Sequence, residues 1–342
     1  MNSRETNDNS RENKPVSFLD STPKETRKTK TEAATASSPA HITGFFKIYS
    51  NGSTGAGINL DKGMITKVEL KELKNKKNNT DNKNSKNSIE INLNGKKCSC
   101  KTSLLVAKKM LSLKQKKIQI KSKKFKLKNK KNSLKEFRLI IFHETKFPVG
   151  YGLGISGAGA LSLSLALNKA LKLKLSKKEC LEISQKSEIE SGTGLGDVVA
   201  EQFSGAMMGA KPFPSKKVIP IKCPYKFIVL GFFSPINTKK IIFSKKWKKK
   251  INEFGSIAMK ELMKEKTFQN LVLQSRNFTF RTKLFSNRLL KALEFFPFSS
   301  MSMLGQTIFI PSKNPKQTEK ELKKFTSNTL IVKIAEQGAK VL

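Results

Sequence analysis

"FPVGYGLGISGAGALSLSLALNKAL", residues 147–171, places glycine at 150, 152, 154, 157 and 159 and then runs into small and apolar residues. Glycines let backbone amides come close to a ligand, and the N-terminus of a following helix favours negative charge. The stretch therefore predicts an anion-binding turn that opens a helix from about 157 to 171, with Ala158, Leu161 and Leu165 on its apolar side. Directly upstream, "FRLIIFHE" (137–144) reads as the strand that delivers the chain to the turn. A phosphate is the anion such a turn suits.

Two familiar phosphate loops fail on context. Gly152, Gly154 and Gly157 satisfy G-x-G-x-x-G, but a dinucleotide fold needs a strand ending in an acidic residue ~20 positions later. The helical "LSKKECLEISQ" stands there instead. A Walker loop needs Lys after its last glycine, and none follows here. Downstream, Ser176 and Glu179 form a capping-box signature that opens a second helix. That helix ends at "SGTGLGD", and Asp197 opens a third. An aspartate at a glycine-flanked helix start suits either general-base work or simple N-capping.

Outward from this centre, residues 1 to about 37 are polar and predict a disordered tail with no signal peptide and no transit peptide. "PAHITGFFKIY" (39–49) reads as a strand, "SNGSTGAGINL" (50–60) as a loop and "GMITKVEL" (63–70) as a strand. The low-complexity run 71–88 reads as a solvated loop, "SIEINLNG" as a strand, "SLLVAKKML" as a helix, and the alternating "KIQIKSKKFKLK" (117–128) as a half-exposed strand. Beyond a Pro-rich boundary near 212–214, "FIVLGFF", "MSMLGQTIFIP" and "TLIVKIAE" read as strands among lysine-rich helices.

A net charge of +41 over 342 residues raises a nucleic-acid role. Three features oppose it: the lysines are spread end to end, arginine is scarce, and stacking aromatics are few, with one Trp and three Tyr. Four cysteines and two histidines, at positions 98, 100, 180, 223, 41 and 143, offer no zinc spacing. Sparse cysteines fit a reducing cytoplasm, and no apolar run reaches the ~20 residues that a membrane span requires. His143 reads as structural.

Pro148, Gly150, Gly152, Leu153, Gly154 and Ser156 stand where the GHMP kinase superfamily (galactokinase, homoserine kinase, mevalonate kinase, phosphomevalonate kinase) carries P-x-G-x-G-L-G-S-S-A. "SEIESGTGLGDVVAEQFSGA" likewise resembles that superfamily's catalytic-aspartate segment. Together with "PAHITGFFKIY", "GSTGAGINLDKGMITKV" and "TGLGDVVAEQFSGAMMGAKP", these stretches resemble the archaeal pantoate kinase branch over about residues 38–330. The superfamily's last motif, K-x-T-G-A-G-G-G, is absent, and "SSMSMLGQTIFI" (299–310) with the single Gly305 takes its place, as in that branch.

The resemblance implies a two-domain α+β fold. An N-terminal domain like the second domain of ribosomal protein S5 would span 38–210, and a ferredoxin-like domain 211–342. It implies ATP and Mg2+ as cofactors and pantoate, phosphorylated on its primary hydroxyl, as substrate. Pro148, Gly150, Gly152, Leu153, Gly154, Ile155, Ser156, Gly157, Ala158 and Gly159 would cradle the phosphates. Ser156 and Glu188 would hold the metal, with Glu190 as the rival acid, and Asp197 would handle the proton. His41, Ser53, Thr54 and Gly55 would meet the substrate, although a purely structural His41 fits as well. A cytoplasmic enzyme follows, homodimeric as the family tends to be, with no nucleic-acid or membrane partner. A homoserine- or mevalonate-type kinase, or a nucleic-acid-binding protein on a kinase scaffold, are the alternatives, and ATP is not separated from GTP.

Overall fold

The computed structural model describes residues 31–72, 88–124, 137–212 and 217–342. It opens on a long antiparallel hairpin, β1 (Thr31–Tyr49) and β2 (Gly52–Glu72), with register shifts between Ser38 and Ala40 and between Thr43 and Phe45. Two expectations are corrected here. Strand structure begins at Thr31, inside the segment read as a polar tail, because β2 supplies backbone partners for residues whose side chains gave no apolar signal; residues 1–30 lie outside the described residues. The "SNGSTGAGINL" stretch is strand from Gly52 onward, not loop. A Cβ at Gly57 would lie 2.1 Å from the Ile42 carbonyl, so this glycine serves close backbone approach inside a sheet rather than a turn.

β3 (Ser88–Leu93), β4 (Lys96–Lys97), helix α1 (Lys101–Lys124) and β5 (Phe137–Glu144) follow, with β3 and β5 parallel across the α1 connection. The strand expected over 117–128 is instead the last two turns of α1 as far as Lys124, and its remainder lies outside the described residues. Alternating Ile and Lys mimic a strand, but lysine is a good helix former. Val106, Ala107, Met110 and Leu111 anchor the helix in the core, and the Lys114 and Lys117 ammonium groups donate to the Leu171 and Leu173 carbonyls.

Helix α2 (Ile155–Ala170) lies across β1 and β2 and is buried on nearly every side, which is why its sequence is apolar almost throughout. α3 (Lys177–Ser191) begins with the expected capping box: Glu179 N–H donates to Ser176 Oγ at 3.2 Å, and Ser176 N–H to Glu179 Oε2 at 2.7 Å. α4 (Asp197–Ala200) is one turn long and leads to β6 (Ala206–Gly209) and β7 (Val218–Ile221).

The second unit comprises β8 (Phe227–Pro235), α5 (Thr238–Ile242), α6 (Lys245–Lys264), α7 (Phe268–Thr282), α8 (Asn287–Phe295), β9 (Ser300–Ser302), β10 (Gly305–Ser312), α9 (Pro315–Leu322) and β11 (Thr329–Lys333). Its antiparallel sheet runs β11-β8-β10-β9, the spatial order of a ferredoxin-like βαββαβ unit. The first sheet runs β12-β1-β2-β5-β3-β4, where β12 is Lys340–Val341, and β6 pairs both β2 and β7. The division at 210/211 is therefore corrected. β7 and β12 belong to the first sheet, and the ferredoxin-like unit is the chain between them. The two units share one continuous hydrophobic core. Cys98 and Cys100 are joined by a disulfide just before α1, so the cysteine usage does not itself specify a reducing compartment.

Candidate active site

A cleft of about 420 Å³ opens where the glycine turn, the α3–α4 connection and the β9–β10 turn meet. Gly154 takes a left-handed conformation (φ 63°) at the start of α2, leaving the amides of that helix's first turn directed at the cleft. Gly150, Gly152, Leu153, Gly154, Ile155 and Ser156 line it. Pro148, Gly157, Ala158 and Gly159 do not: Gly157 packs on Glu201 and Val198, and Gly159 faces Met64 and His143 beneath the helix.

The glycine turn is locked from the other unit. Ser302 Oγ donates to the Gly152 carbonyl, Thr307 Oγ1 to the Tyr151 carbonyl at 2.7 Å, and the Ile236 N–H to the Gly150 carbonyl at 3.1 Å. A Cβ on Gly305 would sit 1.9 Å from Tyr151 C, and one on Gly152 would sit 2.7 Å from Gly305 N. The single glycine of the divergent third motif is thus the point of closest backbone contact. Leu304 beside it lines the cleft in a left-handed conformation (φ 66°).

Asp197 is the first residue of α4, and Gly196 occupies the cap, so the carboxylate is not used for capping. Its Oδ1 accepts from Thr43 Oγ1 at 3.1 Å. Ser53 packs against Gly196, next to Asp197, and Thr54 Oγ1 is buried at the cleft without a hydrogen-bond partner among the described residues. His41 also lines the cleft. Asn59 fixes its tautomer: the Asn59 amide nitrogen donates to the Ala200 and Phe203 carbonyls, both at 2.7 Å, so its Oδ1 accepts from His41 Nδ1 at 2.8 Å. Nε2 is then the acceptor. Burial lowers the His41 pKa, against the pull of Asp197's charge and the Asn59 bond, so the ring is neutral at pH 7.

Glu188 and Glu190 part ways. Glu190 is exposed and paired with Lys109 at 2.6 Å, whereas Glu188 is fully buried behind Gly194. Thr193 Oγ1 donates to Glu188 Oε1 at 3.2 Å, and Oε2 has no partner among the described residues. Burial, then the charge of Asp197, pushes the Glu188 carboxyl up to about 8, with the Ser156 and Thr193 hydroxyls acting the other way. A third carboxyl, Glu201, is fully buried beneath the glycine turn, and burial raises its pKa well above the usual carboxylate range. Thr43, Asn59, Thr193 and Glu201, together with Lys211 and Lys239 at the cleft, escaped the sequence reading. Thr43 lay in the quoted "HITG", but a lone threonine in a strand carries no chemical signature.

Residues 114–205 match the family model for the GHMP kinases N terminal domain. The chain is 34% identical over 312 residues to the pantoate kinase of Methanocaldococcus jannaschii, covering 86% of this chain and 98% of that protein. Among solved structures, one described as a phosphotransferase related to CoA biosynthesis pathway superposes with a TM-score of 0.72 at 22% identity, covering 91% of this chain and 98% of that one. Another, described as MDDEF in complex with MVAPP, AMPPCP and magnesium, gives 0.59 at 14% identity over 92% and 99%. The chain has the fold of the GHMP superfamily and is an ATP-dependent small-molecule kinase. Within that superfamily, the chain belongs to the pantoate kinase family.

Proposed function

We propose that the chain transfers the γ-phosphoryl group of ATP to the primary hydroxyl of pantoate, giving 4-phosphopantoate and ADP. The observation that carries this reading is the placement of Asp197. Its carboxylate is free of capping duty, held by Thr43, and set beside the helix N-terminus that suits phosphates. The substrate oxygen attacks phosphorus in line, its proton passes to Asp197, and the bond to the β-phosphate oxygen breaks. Amides of the glycine turn and of α2's first turn hold the charge that develops on the transferring group. The pantoate carboxylate is met by Lys211 and by the free Thr54 hydroxyl, while His41 Nε2 accepts from a substrate hydroxyl.

A magnesium ion suits the donors present. Ser156 Oγ and the unpartnered, buried Glu188 Oε2 would hold it, and no cluster of three or more His, Cys, Asp or Glu side chains among the described residues offers an all-protein cage. That is the usual arrangement for Mg2+, which takes one or two carboxylates and completes its shell with phosphate oxygens and water. The bound ion would neutralise phosphate charge and keep Glu188 ionised. The test is ADP release with pantoate by the wild type and Asp197→Asn. The variant loses ~10²–10⁴ in kcat with little change in ATP KM. A near-normal kcat would remove the proton-accepting role.

A further inference from the structure

Thr102 opens α1, outside the cleft and outside every motif singled out in the sequence, and is buried against the α3–α4 connection. Its hydroxyl lies 2.7 Å from Ser191 Oγ and 2.9 Å from Thr193 Oγ1, and Ser156 Oγ donates to it at 3.4 Å. Ser191 Oγ is in turn 2.8 Å from Thr193 Oγ1, which donates to Glu188 Oε1 at 3.2 Å. Three hydroxyls, those of Thr102, Ser191 and Thr193, thus join the two side chains assigned to the cation.

Counting hydrogens gives the chain a direction. Thr193 Oγ1 spends its single hydrogen on Glu188 Oε1, as the geometry has it and as a cation-bound, ionised carboxylate requires. Ser191 Oγ donates to the Glu188 carbonyl at 3.0 Å and faces Thr193 Oγ1 at 2.8 Å; with its hydrogen used on that side, it can only accept from Thr102. Thr102 then donates to Ser191, and Ser156 donates to Thr102. Ser156 has one hydrogen for two acceptors, Thr102 and the Glu188 carboxylate it also faces; given to Thr102, it leaves only lone pairs toward the cleft, as a metal ligand must, and leaves Glu188 Oε2 open for the ion. We propose that Thr102 is a positioning residue for the cation site. It acts through Ser156, orienting that hydroxyl for the metal while tying it to Glu188. The inference rests on the reading of Ser156 and Glu188 as magnesium ligands.

The test measures binding rather than turnover. Calorimetric titration of the full chain with a non-hydrolysable ATP analogue, with and without Mg2+, gives the factor by which the ion tightens binding. Thr102→Ser keeps that factor within about twofold, whereas Thr102→Val, of the same shape without the hydroxyl, loses about tenfold of it. Ser191→Ala, one step further along the chain, loses a similar amount and serves if the valine variant does not fold. A full magnesium gain in Thr102→Val, or in Ser191→Ala if the valine variant is lost, overturns the positioning role alone. An equal loss in Thr102→Ser and Thr102→Val does the same, since it would trace the effect to packing. A wild type with no magnesium gain overturns the metal-ligand reading itself, and the inference with it.

Discussion

Gly150 and Gly152 make a matched pair for testing how the glycine turn is held. Both have positive φ, at 87° and 78°, so alanine at either adopts a left-handed conformation at a cost of about 1 kcal/mol. Their surroundings differ. A Cβ on Gly150 meets only the Pro235 side chain at 3.3 Å, a contact that small shifts relieve. A Cβ on Gly152 meets three backbone atoms of the β9–β10 turn, Gly305 N at 2.7 Å and the Met303 and Ser302 carbonyl oxygens at 2.9 Å. That turn must retreat, straining the bonds from Ser302 to Gly152 and from Thr307 to Tyr151, worth about 1 kcal/mol each. Gly150→Ala should therefore lose about 1 kcal/mol and Gly152→Ala about 3 kcal/mol. At about 2 °C per kcal/mol for a chain of this size, Tm falls by about 2 °C and about 6 °C. Displacing the Gly152 amides should also raise ATP KM at least about tenfold, with a smaller change for Gly150→Ala. Equal Tm losses, or a wild-type ATP KM in Gly152→Ala, would refute the claim that the ferredoxin-like unit braces the phosphate turn.

Other consequences are testable together. His143 is buried among the Thr66, Ser103 and Ser162 hydroxyls, and burial lowers its pKa from 6.5 to about 4. The unfolded chain therefore takes up this proton first as the pH falls. The contribution is complete above pH 6.5 and is lost toward pH 4, a swing of about 3 kcal/mol that denaturant titrations of His143→Gln should lack. Lys211→Met should raise pantoate KM roughly tenfold and leave ATP KM unchanged, which steady-state kinetics with each substrate varied will check. Gly157→Ala places a methyl 3.1 Å from both Glu201 carboxyl oxygens, and a thermal scan should show a loss of about 1–2 kcal/mol.

The parts of the fold legible in the sequence were those whose signals are local. The glycine turn, the apolar α2, the Ser176–Glu179 box and the core strand at 227–235 each carry their cause within a few residues. What escaped is set by distant partners. β1 starts at Thr31 because β2 pairs with it, and the glycines at 55 and 57 are strand residues because the facing backbone and the His41 ring leave no room for side chains. The site divides in the same way. Asp197 is marked by its flanking glycines, whereas Glu188 and Glu190 look alike in the sequence and differ only in the fold, the first buried and the second paired with Lys109. Thr43, Asn59 and Thr102 are engaged by hydrogen bonds to residues far along the chain, 154 positions away for Thr43 and Asp197, and no sequence pattern marks them. The third motif was legible only as an absence, and Gly305 shows why one glycine suffices there.

The most direct test of the account is ADP release by the purified full chain with ATP and Mg2+, offering pantoate, pantothenate, homoserine and mevalonate in separate reactions. The account predicts turnover with pantoate alone and its loss in Asp197→Asn. Turnover with another of these alcohols but not with pantoate would contradict the assigned acceptor.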